Sequence, residues 1–167
     1  MRLQSEKYVD KYITEALFNL MKKKDFNSIS ITEICNKAGT GRMSFYRNFD
    51  SKENIIKKWI TNTTDNFLNE SDISYKNDTT KDYFIKLFSH LEKYKSEAYL
   101  IYKANLFNLL KNEFDKKLIN LHQKEYENYK SYFIAGGIFN VYYFWLINGS
   151  KESPEELANK MVNLLEK

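Results

Sequence analysis

The sequence predicts an all-α protein with a three-helix helix-turn-helix domain at its N-terminus and a larger helical C-terminal domain. Apolar residues recur at helical spacing along most of the 167 residues, and no segment shows the alternation typical of a strand. A polar stretch over 69–80 lacks apolar periodicity and marks the domain boundary. We therefore expect domains at 1–53 and 71–167, connected by a fourth helix over about 51–70.

Two helices joined by a glycine turn are predicted after a first helix that covers roughly 5–24. Ser30 is typical of a helix N-cap, and Glu33 three residues later completes a capping box that starts the second helix. Gly39 can adopt the positive φ that ends this helix. The third helix is short, at about 41–47, and is expected to pack inward through one phenylalanine.

Four or five helices are predicted for the C-terminal domain. Asp50 and Glu53 are spaced as a capping box for the helix that leads into it. Ser153, Pro154 and Glu156 open the last helix in the same way, with proline at the first helical position. The C-terminal helices are expected near 79–95, 97–111, 113–129, 131–148 and 154–166.

The segment 132–147 is apolar on almost all sides and has three interpretations. As a membrane span it is short, since about 20 residues are needed. It can be a helix buried within one subunit, or a helix that faces both its own core and a second copy. We favour the third interpretation, because a glycine pair allows close approach. The predicted homodimer interface consists of Gly137, Val141, Phe144, Trp145, Leu157, Met161 and Leu164.

Basic residues are unevenly distributed. Residues 1–60 contain 12 basic and 7 acidic residues, whereas residues 61–167 contain 14 and 15. The net charge of +4 is too small to imply nucleic acid, but an excess confined to one lobe favours phosphate binding. The chain has three arginines, Arg2, Arg42 and Arg47, and the last two lie within the helix-turn-helix segment. Arginine offers a bidentate fork that suits guanine edges and phosphates.

The predicted third helix has the character of a DNA recognition helix. Its N-terminal side chains are mostly polar, which leaves them free to contact base edges in a major groove. Tyr46 and Arg47 can donate to phosphates, as can Lys52 beside the positive end of the fourth helix. The predicted base contacts are Thr40, Arg42, Met43 and Ser44.

The segment AGTGRMSFYRNFDSKENI, with Ile31-Thr32-Glu33-Ile34 before it, resembles the tetracycline-repressor (TetR) family of transcriptional regulators. The combination of F-Y-x-x-F and S-K-E after an A-G turn carries this resemblance. The C-terminal part is similar to regulators of dihydroxyacetone-kinase operons, through a glycine pair, Trp145, Asn148-Gly149 and an S-P-E-E helix start.

This resemblance implies a homodimer that carries one DNA-binding domain per subunit and an effector site in each C-terminal domain. It places Thr40 to Ser44 on bases, and Thr32, Tyr46, Arg47 and Lys52 on the DNA backbone. Gly41 departs from the family pattern, which usually has serine or another side chain there.

Aromatic residues make up 16% of the chain and populate the C-terminal helices. They can fill the core and interfaces, or they can line a pocket for a small apolar or aromatic effector. The sequence leaves both interpretations open. The candidate pocket residues are Phe84, Phe88, Tyr102, Phe107 and Phe133.

Enzyme activity, metals and cofactors are not expected. His90 and His122 lie on different predicted helices outside any metal-binding spacing, and no nucleotide-binding or nucleophile motif is present. Cys35, the single cysteine, excludes an internal disulfide and fits a reducing cytoplasm. No membrane association is expected.

The sequence thus predicts a cytoplasmic, dimeric, ligand-responsive repressor that binds a palindromic double-stranded DNA operator. The alternative is a helix-turn-helix regulator that is controlled by a protein partner, of the co-activator type, without a small-molecule effector.

Overall fold

The predicted all-helical fold is confirmed. The computed structural model describes residues 2–70, 80–122 and 128–165. These ranges contain nine α-helices, a 3-10 turn at Phe26–Ser28 and no strand. The N-terminal helices are α1 (Arg2–Met21), α2 (Ile31–Ala38), α3 (Arg42–Asn48) and α4 (Lys52–Glu70). The C-terminal helices are α5 (Thr80–Lys93), α6 (Lys95–Lys103), α7 (Phe107–His122), α8 (Asn128–Ile147) and α9 (Pro154–Leu165).

A small apolar core sets the angle between α2 and α3. Ile13 and Leu17 of α1, Ile34 of α2 and Phe45 of α3 are completely buried, and α1 packs against both shorter helices. Burial of each such side chain contributes about 1.5–3 kcal/mol. Because α2 and α3 are too short to be stable alone, this core holds the helix-turn-helix in one geometry.

Helix α4 joins the two domains and packs against both α1 and α7. Its first half buries Ile55 in the N-terminal core. In its second half, the Thr61 hydroxyl lies 3.4 Å from a carboxylate oxygen of Glu113, and Asp65 forms an ion pair with Lys117. These contacts attach the second half of α4 to α7.

In the C-terminal domain, α5 packs along α9 and α7 packs along α8. Trp145 is buried and its indole N–H donates to the Glu152 carbonyl at 2.9 Å, which ties the end of α8 to the start of α9. Leu157 and Met161 are also buried on the inner face of α9. Aromatic and aliphatic side chains thus form one core beneath α8 and α9.

The predicted break between the sixth and seventh helices is wrong. The sequence predicts this break near 112, whereas α6 ends at Lys103 and α7 begins at Phe107. Asn105 adopts a left-handed conformation at φ 59°, and the N–H of Leu106 donates to the Ile101 carbonyl at 3.1 Å. Asparagine tolerates this conformation better than most residues, but apolar periodicity continues across the break and hides it.

The helix starts follow the predicted caps with one exception. The Ser153–Glu156 box is confirmed, because the Glu156 N–H lies 3.3 Å from the Ser153 hydroxyl and the Ser153 N–H lies 2.8 Å from the Glu156 carboxylate. The predicted box at Asp50 is wrong. Ser51 caps α4 instead, accepting a hydrogen bond from the Asn54 N–H at 3.1 Å.

The polar segment at the predicted domain boundary falls largely outside the described residues, since 71–79 are not described. Within 2–70, 80–122 and 128–165, no helix combines the length and apolar character that crossing a membrane requires. This includes α8, whose sequence raised the question.

Candidate nucleic-acid interface

The start of α2 is held by a capping box, as the sequence predicts. The Glu33 N–H donates to the Ser30 hydroxyl at 3.2 Å, and the Ser30 N–H donates to the Glu33 carboxylate at 2.9 Å. Glu33 also forms an ion pair with Lys24 just after α1. These donors lower the pKa of Glu33 to about 2. One carboxylate therefore both caps α2 and ties it to the end of α1.

Glu33→Gln is expected to destabilise the domain at neutral pH and to have little effect in acid. The folded-state pKa of Glu33, about 2, lies below its ordinary value of 4.5. The carboxylate therefore contributes stability above that ordinary value, and this contribution is lost as the pH falls towards the folded-state pKa. Thermal melts of both proteins from about pH 7 down to about pH 2.5 should converge at the acidic end.

Lys24→Met is the matched variant, because the Lys24 ammonium is the largest cause of the lowered pKa. In the Lys24→Met background, the difference in melting temperature caused by Glu33→Gln should change less with pH than it does in the wild-type background. A melting difference between wild type and Glu33→Gln that does not change with pH would contradict this account.

The turn between α2 and α3 depends on two glycines in different conformations. Gly39 has φ +65°, and the Thr40 N–H that follows it donates to the Cys35 carbonyl at 3.0 Å. Gly41 has φ −84° and precedes α3 without any side chain to cap it. Only the first of these glycines adopts a conformation that other residues rarely take.

Gly39→Ala is expected to destabilise the protein by about 1–2 kcal/mol, whereas Gly41→Ala should have a much smaller effect. An added Cβ meets no atom within 4 Å at either position, so the two variants differ in backbone strain and not in packing. Chemical denaturation of both variants measures the difference. Equal losses of stability would show that the left-handed conformation of Gly39 does not carry the cost.

Helix α3 buries one side of its seven residues and exposes the other. Phe45 is buried beside Phe49, with ring centres 5.9 Å apart. On the outer side, Arg42 and Arg47 are exposed, and Met43 is 80% exposed. These three side chains are therefore accessible for contact with another molecule.

Arg42 and Tyr46 share one face of α3, one turn apart. The centre of the Arg42 guanidinium lies 6.0 Å from the centre of the Tyr46 ring, at the outer limit of a cation–π contact. Tyr46 itself packs edge-on against Phe45 at 5.4 Å between ring centres. The buried phenylalanine thus orients the tyrosine, which in turn lies beneath the arginine.

The remaining predicted DNA contacts differ in whether their side chains are exposed or already form hydrogen bonds within the subunit. Thr32 on α2 is exposed, whereas Thr40 and Ser44 are partly buried. Lys52 is occupied, because its ammonium donates to three backbone carbonyls of the same chain. The side chain of Arg2 lies outside the described residues. Sequence patterns offered no signal for the Lys52 contacts, since their acceptors are more than twenty residues away.

Family comparison identifies this arrangement. Residues 13–58 match the model described as bacterial regulatory proteins of the tetR family. Residues 78–167 match the model described as a transcriptional regulator C-terminal region, which is more than half of the chain. The protein belongs to the TetR family of transcriptional regulators. It is therefore a DNA-binding helix-turn-helix regulator and not an enzyme.

Solved structures share the TetR fold over nearly the whole chain. A TetR transcriptional regulator from Streptococcus agalactiae 2603V has a TM-score of 0.69 at 17% identity, covering 99% of this chain and 98% of its own. The dihydroxyacetone kinase operon activator DhaS has a TM-score of 0.70 at 20% identity, covering 94% and 93%. The comparison with curated protein sequences gave no match.

A third TetR-like structure was solved with a ligand. The transcriptional regulator FadR from Bacillus subtilis, in complex with stearoyl-CoA, has a TM-score of 0.60 at 19% identity. The alignment covers 93% of this chain and 96% of that one. At these identities the likeness concerns the fold alone.

The residues predicted for the dimer interface fall into two groups in this TetR-family subunit. Phe144 and Leu164 are 65% and 66% exposed, and Gly137 is exposed beside the partly buried Val141. The other three predicted residues, Trp145, Leu157 and Met161, are buried within the subunit. Their side chains have almost no surface to offer a second copy, so we remove them from the predicted interface.

The five residues predicted for an effector pocket do not come together around a cavity. Phe84 and Phe88 are buried on α5, and Phe133 is 75% exposed on α8. Tyr102 and Phe107 pack together with ring centres 6.0 Å apart, near the junction of α6 and α7. Phe84 and Phe88 thus fill the core, whereas the exposed Phe133 belongs neither to the core nor to a pocket.

A different set of residues lines a largely apolar cavity of about 60 Å³. It lies between α4, α5 and α7, and sequence analysis did not single it out. Its lining includes Trp59, Thr63, Phe67, His90, Tyr94 and Phe114. The volume accommodates about two water molecules, far below the roughly 300–1,000 Å³ of typical ligand pockets.

Proposed function

We propose that this protein binds a palindromic operator as a homodimer and acts as a ligand-responsive repressor. The observation that carries this proposal is the contrast on α3, where Phe45 is buried while Arg42, Met43 and Arg47 face outwards. A helix whose inner side is fixed and whose outer side is free can enter a major groove without rearrangement. The proposed site of action is the cytoplasm, where such a protein meets the chromosome.

A second copy of this chain is the proposed occupant of the exposed face of α8. Phe133, Gly137, Val141 and Phe144 are separated by four, four and three residues, which places them on one side of the helix. Phe133 and Phe144 are 75% and 65% exposed, and large exposed apolar side chains grouped on one face are characteristic of an interaction surface. Family membership supports a second copy as the partner, since TetR regulators usually act as dimers.

Dimerisation provides the geometry for a palindrome. A twofold axis presents two α3 helices in opposite orientations, and each then contacts one half-site. The helices must match successive major grooves about 34–36 Å apart. A change in the separation of the two domains is therefore sufficient to weaken operator binding.

The apolar cavity beside α4 is the proposed entry point for regulation. Trp59, Thr63 and Phe67 of α4 line it, and the same helix begins at the DNA-binding domain. A ligand larger than the present cavity must displace part of its lining, and the proposal requires that α4 be among the elements that move. Such a ligand shifts the equilibrium only by its different affinity for the two arrangements.

Control by a protein partner is the second candidate. It does not require the cavity beside α4, which at about 60 Å³ is small for a typical effector. The fold neighbour DhaS, named as an operon activator, shows that the TetR fold also serves activators. In this case the protein partner would bind to the outer surface of the C-terminal domain.

Selection of bound fragments from a random DNA pool tests the central proposal. We expect enrichment of a sequence with twofold symmetry, bound by two subunits as measured by light scattering of the complex. A screen for compounds that release the protein from that sequence then distinguishes the two kinds of control. Release by a small molecule supports a ligand-responsive regulator, and the absence of any active compound favours control by a protein partner. Failure of the pool to yield a symmetric sequence would overturn the proposal.

A further inference from the structure

Lys52, in the first turn of α4, has its charged end directed into the protein. Its Nζ lies 2.6 Å from the carbonyl oxygen of Phe26, 3.2 Å from that of Asn27 and 3.0 Å from that of Ile29. It also lies 4.4 Å from the centre of the Phe26 ring. A lysine ammonium has three donors, so all of them are used within the subunit.

These three carbonyls belong to the 3-10 turn and the residues that lead into the Ser30 cap. Carbonyls at the end of a helical turn lack partners in the turn itself. The Phe26 carbonyl already accepts the Ile29 N–H at 3.1 Å, whereas the Asn27 and Ile29 carbonyls project towards Lys52. The ammonium thus joins the start of α4 to the segment that immediately precedes α2.

The position of this contact matters for DNA recognition. Helix α2 begins one residue after the Ser30 cap, and α3 is fixed to it by the Gly39 turn. Helix α4 begins at Lys52, shortly after α3 ends, and leads to the C-terminal domain. Lys52 therefore lies where the recognition element and the connecting helix meet.

We propose that Lys52 is a positioning residue for DNA binding, which holds α2 and α3 at a fixed angle to α4, and that it does not contact the DNA backbone. This rests on the DNA-binding function proposed above. A phosphate contact would require the ammonium to leave at least one of its three carbonyls. The interface therefore obtains its backbone contacts from side chains that are free, such as Arg47.

Lys52→Arg separates the two roles, because it keeps the charge and changes the geometry. Arginine binds phosphate at least as well as lysine does, so a phosphate contact would survive this substitution. Three carbonyls that converge on one nitrogen suit an ammonium and do not suit a planar guanidinium. We expect Lys52→Arg to weaken operator binding at least about tenfold, equivalent to about 1.4 kcal/mol.

The salt dependence of binding gives the second measurement. Each phosphate that the protein neutralises contributes about 0.9 to the slope of log affinity against log salt concentration. If Lys52 neutralised one phosphate in each subunit, Lys52→Met would therefore reduce the slope of the dimer by about 1.8. We expect the affinity of this variant to fall while its slope matches that of Lys57→Gln, an exposed lysine on the same helix.

Three outcomes would overturn the proposal. Wild-type operator affinity together with wild-type stability in Lys52→Arg, or a slope reduced by about 1.8 in Lys52→Met alone, would assign Lys52 to a phosphate. A lower melting temperature with unchanged affinity, measured well below melting, would make Lys52 a stabilising residue only. If the wild-type protein selects no operator, the proposed DNA-binding function fails independently of Lys52. The positioning role is then tested by amide hydrogen exchange, which should be faster in α2 and α3 of Lys52→Arg than in wild type.

Discussion

Phe144→Glu is expected to convert the proposed dimer into monomers and to weaken operator binding by about 10²–10⁴-fold. Phe144 lies on the exposed side of α8 and is 65% exposed in the subunit. In a twofold interface each copy presents the same surface, so the substitution introduces two carboxylates. Burying unpaired charges costs several kcal/mol per ion, which destabilises the association.

Dissociation of the dimer affects DNA binding through effective concentration. When two domains are linked, binding of the first places the second near its half-site at a local concentration in the millimolar range. A monomer lacks this advantage, so its apparent operator affinity should fall by about 10²–10⁴-fold. Sedimentation velocity measures the oligomeric state, and titration of a labelled operator measures the affinity.

Tyr99→Glu is the matched control for this experiment. Tyr99 is also an exposed aromatic residue, but it lies on α6 and outside the α8 stripe. The control should remain dimeric and should bind the operator normally. If Phe144→Glu remains a dimer, the second copy docks elsewhere, and the exposed face of α8 needs another partner.

The helix-turn-helix was predictable because its determinants are local. The Ser30–Glu33 box and the left-handed Gly39 lie within ten residues of each other, and each has a preference that does not depend on the rest of the chain. Phe45 was identifiable as the inward residue of α3 because the residues around it are polar. The structure matches these local signals closely, although the equally local Asp50–Glu53 pattern failed because Ser51 caps α4.

The parts that sequence analysis missed depend on tertiary structure. The carbonyls that bind Lys52 precede it by 23 to 26 residues, and no short pattern reveals such an interaction. Helix α8 shows a related problem. Because it is apolar on all sides, its sequence did not reveal that Trp145 faces the core while Phe144, its neighbour, faces outwards.

Arg42→Ala is expected to reduce affinity for the operator by about 1–3 kcal/mol per half-site, which is roughly 5- to 150-fold. Arg42 is the first residue of α3 and is exposed, with Tyr46 beneath it at 6.0 Å. A guanidinium held in this way can donate two hydrogen bonds to a guanine edge. The reduction should appear on the operator and be small on random DNA, because a base contact carries sequence information.

Two further variants define the mechanism of that reduction. Arg42→Lys keeps the charge and removes the bidentate fork, so it should behave like Arg42→Ala on the operator while retaining affinity for random DNA. Arg47→Ala should instead weaken binding to both kinds of DNA and lower the salt slope by about 1 for each phosphate that is no longer neutralised. Titrations on both DNAs at several salt concentrations distinguish these patterns. Equal reductions on operator and random DNA for Arg42→Ala would assign Arg42 to the DNA backbone and leave guanine recognition to another residue.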